Sequence, residues 1–391
     1  MSTETNCGSS RTRYPVATIA MDIGLDGGDI LWYQIGMRCL VMVMLVLALA
    51  GCQPDSVRVH EPDAYPERLS AWGLVQLNGG ELNLNTKTTV YQLNTGLFSD
   101  YALKLRTVYL PGGTQASYDP DNVFNLPVGS IISKTFLYAK DESERILTQA
   151  SWRSDPADFN TKTHRLMETR LLVRQSHGWD ALPYIWNGND AYLSITGGLE
   201  QVPLASGGVL NYLIPSKNQC ASCHATDHTS GALQPIGIRA RHLNREVSLY
   251  GMNQLDYWQQ TGLLHGFTPA QREAAPANAV WGEDNADLAH RARSYLDINC
   301  GHCHNERGAA DTSGLLLDYA DHPMGAMGYC KPPIAAGRGS GGFLYSIVPG
   351  QADQSILSFR MATTDPGMMM PELGRSLVHD EAVALVHAWI D

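Results

Sequence analysis

The chain of 391 residues is short of positive charge and of membrane-length apolar runs, and each shortage argues against a class of protein. Charged residues make up 17% of it, and 28 Lys and Arg face 39 Asp and Glu, which gives a formal net charge of −11. Nucleic-acid binding needs a basic footprint, so we expect no nucleic acid among its partners. The apolar run 40–50 falls short of the roughly 20 residues that span a bilayer. The hydrophobic fraction of 44% still allows sizeable cores.

The run 40–50 has the length of a signal-peptide h-region. Met37 and Arg38 precede it, and it ends in Leu49-Ala50-Gly51-Cys52, which resembles a bacterial lipobox. We therefore predict export, with Cys52 as the lipidated mature N-terminus that anchors the protein to a membrane on the periplasmic side of the cell envelope. The alternative is a conventional signal peptide that ends near a cysteine. Gln53 stands where an Asp would favour inner-membrane retention, so the outer membrane is favoured.

These features divide the N-terminal part of the chain into three segments. Residues 1–36 have no amphipathic pattern and precede the signal peptide, so we expect translation to begin at Met37 and 1–36 to be a non-native extension. Residues 37–51 form the predicted lipoprotein signal peptide, and 52–70 form a linker.

Two copies of the sequence Cys-x-x-Cys-His follow in the second half of the chain, and this is the attachment signal of c-type haem. Two residues between the thiols let both sulfurs reach one porphyrin edge, and the following His supplies the proximal ligand of the iron. We predict two covalently attached haem c groups. The attachment and ligand residues are Cys220, Cys223 and His224, and Cys300, Cys303 and His304.

Two rival interpretations of the cysteine pairs fit the spacing less well. A Cys₄ zinc site wants its pairs about 15–20 residues apart, whereas 76 residues separate Cys223 from Cys300. A redox Cys-x-x-Cys motif wants a thioredoxin-like βαβ context, and it does not explain a His after both pairs. Cys330 has no evident partner, and we expect it to be a buried free thiol, with a ligand or an intermolecular crosslink as alternatives.

The second motif lies in a region with the pattern of a class I cytochrome c domain. Apolar residues at helical spacing predict one helix over 287–299, which runs into Cys300, and another over 380–391. Such domains take their sixth iron ligand from a Met before the last helix, and Met368-Met369-Met370-Pro371 occupies that place. Pro371 restricts the backbone of its neighbour. We predict Met370 as the ligand, with Met369 next, unless the three methionines only fill a core.

The sixth ligand of the first haem is less defined by the sequence. We favour Met252, which precedes a predicted helix over 253–264. An open sixth position is an alternative. Other candidates are His242, His228, His265, Met167 and His164.

The region before the motifs reads as β-rich, with short apolar or alternating runs between turn residues. The predicted strands are 88–93, 103–110, 130–138, 168–174, 184–186 and 192–195. We predict an α+β multidomain fold: an N-terminal β-rich sandwich or barrel-like domain (71–215), a first haem segment (216–280) and a class I-like cytochrome c domain with the second haem (281–391). The β-rich domain has no catalytic triad or Walker signature; binding a substrate, docking a partner or covering the first haem are its open roles.

Segments spread over most of the mature chain make it resemble a bacterial family of diheme c-type cytochromes. The resemblance implies haem binding at both sites and electron transfer. The segments that carry it are 93–101, 124–129, 168–174, 183–187, 218–220, 243–245, 253–255, 291–296, 330–333 and 370–375.

Two functions remain open at this stage. The first is an exported diheme cytochrome that transfers electrons between periplasmic or cell-surface redox proteins. The alternative is a diheme cytochrome c peroxidase-like enzyme, in which one haem keeps an open site. The sixth ligand of the first haem separates the two.

Overall fold

The computed structural model describes residues 56–148, 159–284, 286–334 and 336–391. The described residues belong to one compact unit, Asp55–Asp391. The predicted extension 1–36, the signal peptide 37–51 and the lipidation site Cys52 lie outside the described residues. Within the ranges described, no helix combines the length and the apolar character needed to cross a membrane.

Strands dominate the first part of the described chain, and helices the last part. In chain order the strands are β1 (Val75–Asn78), β2 (Glu81–Leu84), β3 (Thr89–Val90), β4 (Leu103–Tyr109), β5 (Ala116–Ser117), β6 (Ile131–Ala139), β7 (His164–Gln175), β8 (Gly178–Asn187), β9 (Asp190–Leu193), β10 (Gly198–Pro203), β11 (Val209–Ile214), β12 (Glu246–Val247), β13 (Met252–Asn253) and β14 (Leu264–His265). The α-helices are α1 (Ala221–His224), α2 (Ala240–Leu243), α3 (Gln254–Gln260), α4 (Pro269–Ala274), α5 (Leu288–Leu296), α6 (Ile356–Ala362) and α7 (Asp380–Ile390).

A six-stranded sheet in the order β3-β4-β6-β7-β8-β9 forms the centre of the β-rich part, and all its neighbours pair antiparallel. β1–β2, β10–β11 and β12–β13 are separate antiparallel pairs, while β14 pairs parallel with β5. The predicted strands recur in β3, β4, β6, β7, β8 and β9, so the α+β class and the antiparallel pairing are confirmed. In the described part of the chain the strands form one open sheet with small ribbons, where the sequence predicted a sandwich or barrel.

The two faces of the central sheet bury different partners, because side chains alternate between faces along each strand. One face packs Ile131, Leu171 and Val173 against Trp72 and Leu69 of the N-terminal 3₁₀ turn Leu69–Trp72. The other face carries a cross-strand row of Val108, Ile132, Leu172 and Ala181, which joins a core with residues of the segment 220–267, among them Cys220, Trp258 and Phe267. The predicted first haem segment is therefore built onto this second face of the sheet.

The C-terminal helices form a smaller core of their own. α5 begins at the cap residue Asp287, whose carboxylate accepts a hydrogen bond from His290 N at 2.8 Å. It continues into a π-helical turn, Asp297–Gly301. Tyr295 and Leu296 of α5 pack with Val386 of α7 and Leu357 of α6. Both helices predicted for this region are confirmed, with α5 and the π turn covering the first and α7 the second.

The helix predicted over 253–264 is shorter than expected. α3 begins after Asn253, whose side chain accepts a hydrogen bond from Leu255 N at 2.9 Å, and it ends at Gln260. Gly262 follows with a left-handed φ of 74°, which a helix cannot continue through, and Leu264 already belongs to β14.

Candidate functional site

The first Cys-x-x-Cys-His sequence lies at the junction of the sheet and the segment that packs on it. A 3₁₀ turn, Asn218–Cys220, leads into α1, so Cys220, Cys223 and His224 lie on two consecutive helical turns. Cys220 is buried in the core that includes the apolar row of the sheet, and Cys223 packs against the same core. Both thiols are free.

The second sequence sits at the C-terminal end of α5, where the π turn brings Cys300 to the start of the motif. Cys300 packs against the core of the C-terminal helices. Gly301, between the cysteines, lies so close to the next segment that a Cβ there would stand 2.7 Å from Cα of Asp318. The thiols of Cys300 and Cys303 are both free.

The two motif histidines are oriented in the same way. Nδ1 of His224 lies 2.8 Å from the carbonyl oxygen of Gln234, and Nδ1 of His304 lies 3.1 Å from that of Leu315. A carbonyl only accepts, so Nδ1 carries the proton in each ring and Nε2 keeps its lone pair. Among the described residues, neither Nε2 takes part in a hydrogen bond. A ring held by a carbonyl at one nitrogen, with the other available, is the arrangement of metal-ligating histidines.

Burial keeps these imidazoles neutral. Desolvation lowers the pKa of His224 to about 4, and the nearby Lys134 and Arg170 contribute to the shift. Desolvation also lowers the pKa of His304 below its usual range. Because a protonated imidazole cannot bind a metal, the shifts favour the ligand form of both rings at neutral pH. The donor set of each motif, two thiols and one neutral imidazole, fits a covalently held haem.

The cysteines do not have the character of a redox Cys-x-x-Cys pair. Such a pair needs a thiolate, which requires a lowered pKa, whereas burial raises the pKa of Cys300 and of Cys303 to about 12. Burial raises the pKa of Cys220 and Cys223 as well. In the described ranges, no cluster of three or more His, Cys, Asp or Glu side chains has the geometry to hold a metal ion.

The two motifs touch each other. Sγ of Cys303 lies 3.3 Å from the carbonyl oxygen of Ser222, which is inside the first motif. The loops that follow the motifs also meet, since the backbone N–H of His228 donates to the carbonyl of Arg307 at 2.8 Å. Nδ1 of His228 lies 3.0 Å from the same carbonyl oxygen. The residues predicted to hold the two haems therefore form one contiguous site.

The loop that carries Met370 runs beside the second motif. Burial is the main cause of the raised pKa of Cys303, and the carboxylate of Glu372 in this loop is close enough to add to it. Arg375, also in this loop, lies near Cys300. The guanidinium of Arg375, which is 7% exposed, donates to the carbonyl of Met370 at 2.9 Å and to that of Arg360 at 3.0 Å. Met370 N donates to the carbonyl of Arg360 at 2.9 Å. Met370 and Met369 both stay predicted ligands, with Met369 the more buried of the two.

The other candidates for the first sixth ligand are scattered. Met252 pairs with Val247 in the β12–β13 ladder, and it stays a prediction. Nδ1 of His228 lies 3.0 Å from the carbonyl oxygen of Arg307 and 3.1 Å from that of Gly308. Nε2 of His265 is hydrogen-bonded to Ser117 Oγ at 2.7 Å. The remaining three are His242 near Asp297, Met167 in the core with Phe136, and His164 against Phe159.

The prediction that Cys330 is buried is wrong, because its side chain is exposed. Cys330 lies in a turn with a left-handed φ of 50°, and its backbone N–H donates to the carbonyl of Ile347 at 2.9 Å.

A segment that sequence reasoning did not assign to the site, Asn94–Tyr101, connects its parts. Asn94 Nδ2 donates to the carbonyl of Asn278 at 2.6 Å, and Asp100 accepts from the backbone N–H groups of Ser376 and Leu377, both at 2.7 Å. Asn299, directly before Cys300, accepts from Phe98 N at 2.8 Å and donates to the carbonyl of Gly96 at 3.2 Å. In the sequence, 93–101 stood out only as one of the segments that carry the family resemblance.

Comparison of the chain with protein-family models, curated proteins and solved structures finds no match.

Proposed function

We propose that this protein is an exported diheme c-type cytochrome that transfers electrons between redox proteins of the periplasm or cell surface. The observation that carries the proposal is the repeated geometry of the motifs. In each, two free thiols precede a histidine whose Nδ1 is bonded to a backbone carbonyl and whose Nε2 is available. Cys220, Cys223 and His224 would hold one haem, and Cys300, Cys303 and His304 the other. A bound haem iron supplies one-electron oxidation and reduction.

Electron transfer within the protein is supported by the contact between the motifs. Because Cys303 touches Ser222, the polypeptide holds the two attachment sites against each other. Met370 would complete the ligands at the second site, since Met/His ligation raises the reduction potential and suits electron transfer. Burial of His224 and His304 keeps both rings in the form that binds iron.

The membrane anchor belongs to the same proposal. Lipid on Cys52 would keep the protein on the periplasmic side of a membrane, the outer membrane by preference, while 71–391 remains available to partner proteins. Intact mass of the protein from membranes, before and after removal of the lipid by base hydrolysis, tests this part. A mature protein that starts elsewhere and carries no lipid contradicts it.

The test of the haem proposal is a count of haems in matched variants. The full chain is produced in a host that attaches c-type haem, and its intact mass and reduced visible spectrum are measured. We expect two haems in the wild type and in Cys330→Ala, and one haem in each of Cys220→Ala/Cys223→Ala and Cys300→Ala/Cys303→Ala. A wild-type mass equal to that of the bare polypeptide and lipid contradicts the proposal. Binding of carbon monoxide to the ferrous wild type would instead favour the peroxidase-like alternative.

A further inference from the structure

The sheet face that packs on the first motif carries a row of cations directly beside the apolar row. In the register of the sheet, Arg106 on β4 pairs with Lys134 on β6, and Lys134 pairs with Arg170 on β7. Side chains at paired positions point to the same face, so the three cations stand side by side. Lys104, two residues before Arg106 on β4, adds a fourth cation on the same face, opposite Phe136.

These cations are crowded, and Lys104 and Arg106 are buried while Lys134 and Arg170 are half-buried. Nζ of Lys134 lies 4.8 Å from the centroid of the Phe136 ring, Nζ of Lys104 lies 5.7 Å from it, and Cζ of Arg170 lies 4.3 Å from it. Lys104 is 5% exposed and Arg106 is 9% exposed. Like charges directly opposite one another in a sheet are destabilising, and burial increases the cost. Accordingly, burial and the neighbouring cations lower the pKa of Lys134 and of Lys104 well below its usual range.

The acidic groups on this face balance only part of the charge. Glu168 on β7 is fully buried and forms an ion pair with Arg170 at 2.5 Å, and Tyr212 of β11 donates to the same carboxylate at 2.8 Å. Asp100 lies near Lys104 and also accepts from Ser376 N and Leu377 N. Among the described residues, Arg170 is paired with Glu168, whereas Arg106 and Lys134 form no ion pair. Carboxylates placed against Arg106 and Lys134 would stabilise the charged form of both side chains.

Two cations of the row, Lys134 and Arg170, lie next to the first motif. Lys134 and Arg170 are near enough to lower the pKa of His224, and Arg170 acts on Cys220 in the same way. The motif and the cations share one face of the sheet, since Cys220 packs with Val108, Ile132 and Leu172 of the adjacent row. A haem attached at this motif brings two propionate carboxylates with it.

We infer that Arg106 and Lys134 bind the propionate carboxylates of the haem attached at Cys220 and Cys223. The inference rests on the proposed function and gives the β-rich region a role in it, which is to supply the counter-charges of the first haem. Arg170 is already paired with Glu168, so it positions the row rather than binding the propionates. Arg and Lys differ in geometry, with Arg106 able to bind a carboxylate through two parallel N–H groups and Lys134 through one ammonium.

The experiment compares single-charge variants of the full, haem-loaded chain. Lys134→Gln and Arg106→Gln each remove one cation of the row, while Lys134→Arg keeps the charge. The matched control is Arg174→Gln, which removes one cation from the neighbouring strand β7, at a position where the guanidinium lies 5.8 Å from the ring of Trp179. Haem content is counted by intact mass, the propionate bending band is recorded by resonance Raman spectroscopy, and midpoint potentials are measured by redox titration.

We expect Lys134→Gln and Arg106→Gln to shift the propionate bending band of one haem and to lower the midpoint potential of that haem. Lys134→Arg should keep the wild-type band position more closely than Lys134→Gln does, and Arg174→Gln should leave the band in place. If Lys134→Gln loses the first haem altogether while Lys134→Arg carries two, the row is needed for that haem, and the inference is supported.

Two haems together with an unmoved band in both Gln variants would overturn the inference and leave the proposed function intact. Loss of haem in both Lys134→Gln and Lys134→Arg would also overturn it, because haem would then be lost even though Lys134→Arg keeps the positive charge. A wild-type chain without haem would instead refute the proposed function, and mass spectrometry separates that outcome from the others.

Discussion

The thiol of Cys303 lies 3.3 Å from the carbonyl oxygen of Ser222, so two sequences that are 81 residues apart in the chain meet in one site. Ser222 stands between the cysteines of the first motif, and Cys303 is the second cysteine of the second. Around this contact, the loops at 227–228 and 307–311 add a contact of His228 Nδ1 with Asp311 at 3.7 Å and the ion pair of Arg307 with Asp227 at 3.9 Å. The contact is therefore part of a built interface between the motifs.

The first prediction concerns electrostatic coupling across this contact. If both sites hold haem, the charge on one iron acts on the other, and we expect the two haems of the wild type to titrate as an interacting pair. Removing one haem with Cys300→Ala/Cys303→Ala should shift the midpoint potential of the first by the equivalent of on the order of 1 kcal/mol. Spectroelectrochemical titration measures the shift, and identical first-haem potentials in the two proteins would contradict the expected coupling.

A second prediction separates the neighbouring methionines of the loop. Met370→Ala should lower the potential of the second haem and open its iron to carbon monoxide, because loss of an axial sulfur leaves a vacant position. Met369 is 7% exposed, so Met369→Ala should destabilise the fold by about 2 kcal/mol or more without opening the site. Carbon monoxide difference spectra of the two variants are the measurement. The reverse result would make Met369 the ligand.

The motifs and the main strands could be predicted from the sequence because they depend on local signals. Cys220, Cys223 and His224 form a five-residue pattern, and the apolar alternation of β4 and β6 is a two-residue pattern. The way the motifs meet could not be predicted. The contact of Cys303 with Ser222 depends on how two distant segments pack, and no periodicity encodes it.

The burial of individual residues could not be predicted from the sequence for a similar reason. Burial was expected for Cys330, and cysteine is one of the residue types most often buried in proteins. In the structure Cys330 lies in a turn with a left-handed backbone, and its side chain is exposed. Nothing in the sequence indicated that Lys134 and Arg106 lie on a covered face of the sheet, and residues of the segment 220–267 pack on that face. Burial of a charged residue in a strand shows only when the element that covers it is known.

A third prediction concerns acid sensitivity. His242 is 3% exposed, Nδ1 of His242 lies 3.2 Å from Asn278 Nδ2, and burial lowers the pKa of its imidazole to about 4. The unfolded chain, with a His pKa of about 6.5, binds more protons between these values. The free energy of unfolding should therefore fall as the pH drops from 6.5 to 4, by at most about 1.4 kcal/mol per pH unit for this group.

His242→Gln removes the titrating ring and should reduce that pH dependence by up to one proton. Denaturant unfolding at a series of pH values between 4 and 7, on wild type and variant, gives the two slopes. Equal slopes would assign the acid sensitivity to other groups.

A fourth prediction tests the segment Asn94–Tyr101 as the connector of the site. Asn299 is 3% exposed and bonds to Phe98 N, the carbonyl of Gly96 and the carbonyl of Tyr295. Asn299→Ala should lower the free energy of unfolding by about 3 kcal/mol, since a buried N–H and carbonyls lose their partner. The control Asn83→Ala removes an exposed amide whose one side-chain hydrogen bond within the described ranges is to the carbonyl of Glu81, and its effect should stay within about 0.5 kcal/mol. Equal effects of the two variants would contradict a connecting role.

The last prediction is that Arg375 holds Met370 in position. The planar guanidinium of Arg375 donates to carbonyls on both sides of the loop, those of Met370, Leu377, Arg360 and Thr363, at 2.9 to 3.1 Å. A lysine has three donors on one atom and cannot reach this set of acceptors together. Arg375→Lys keeps the charge, so a change in this variant reports geometry and not electrostatics.

We expect Arg375→Lys to cost about 2 kcal/mol or more in stability and to leave a fraction of the second haem accessible to carbon monoxide. Lower temperature should reduce that fraction if the loop detaches with a positive enthalpy. Arg338→Lys is the control, because Arg338 is exposed and its one ion pair within the described residues is with Asp365, at 3.4 Å. If Arg375→Lys bound no carbon monoxide and kept the wild-type potential, the loop would be held by its own backbone contacts, such as Met370 N to the carbonyl of Arg360, and Arg375 would only stabilise the fold.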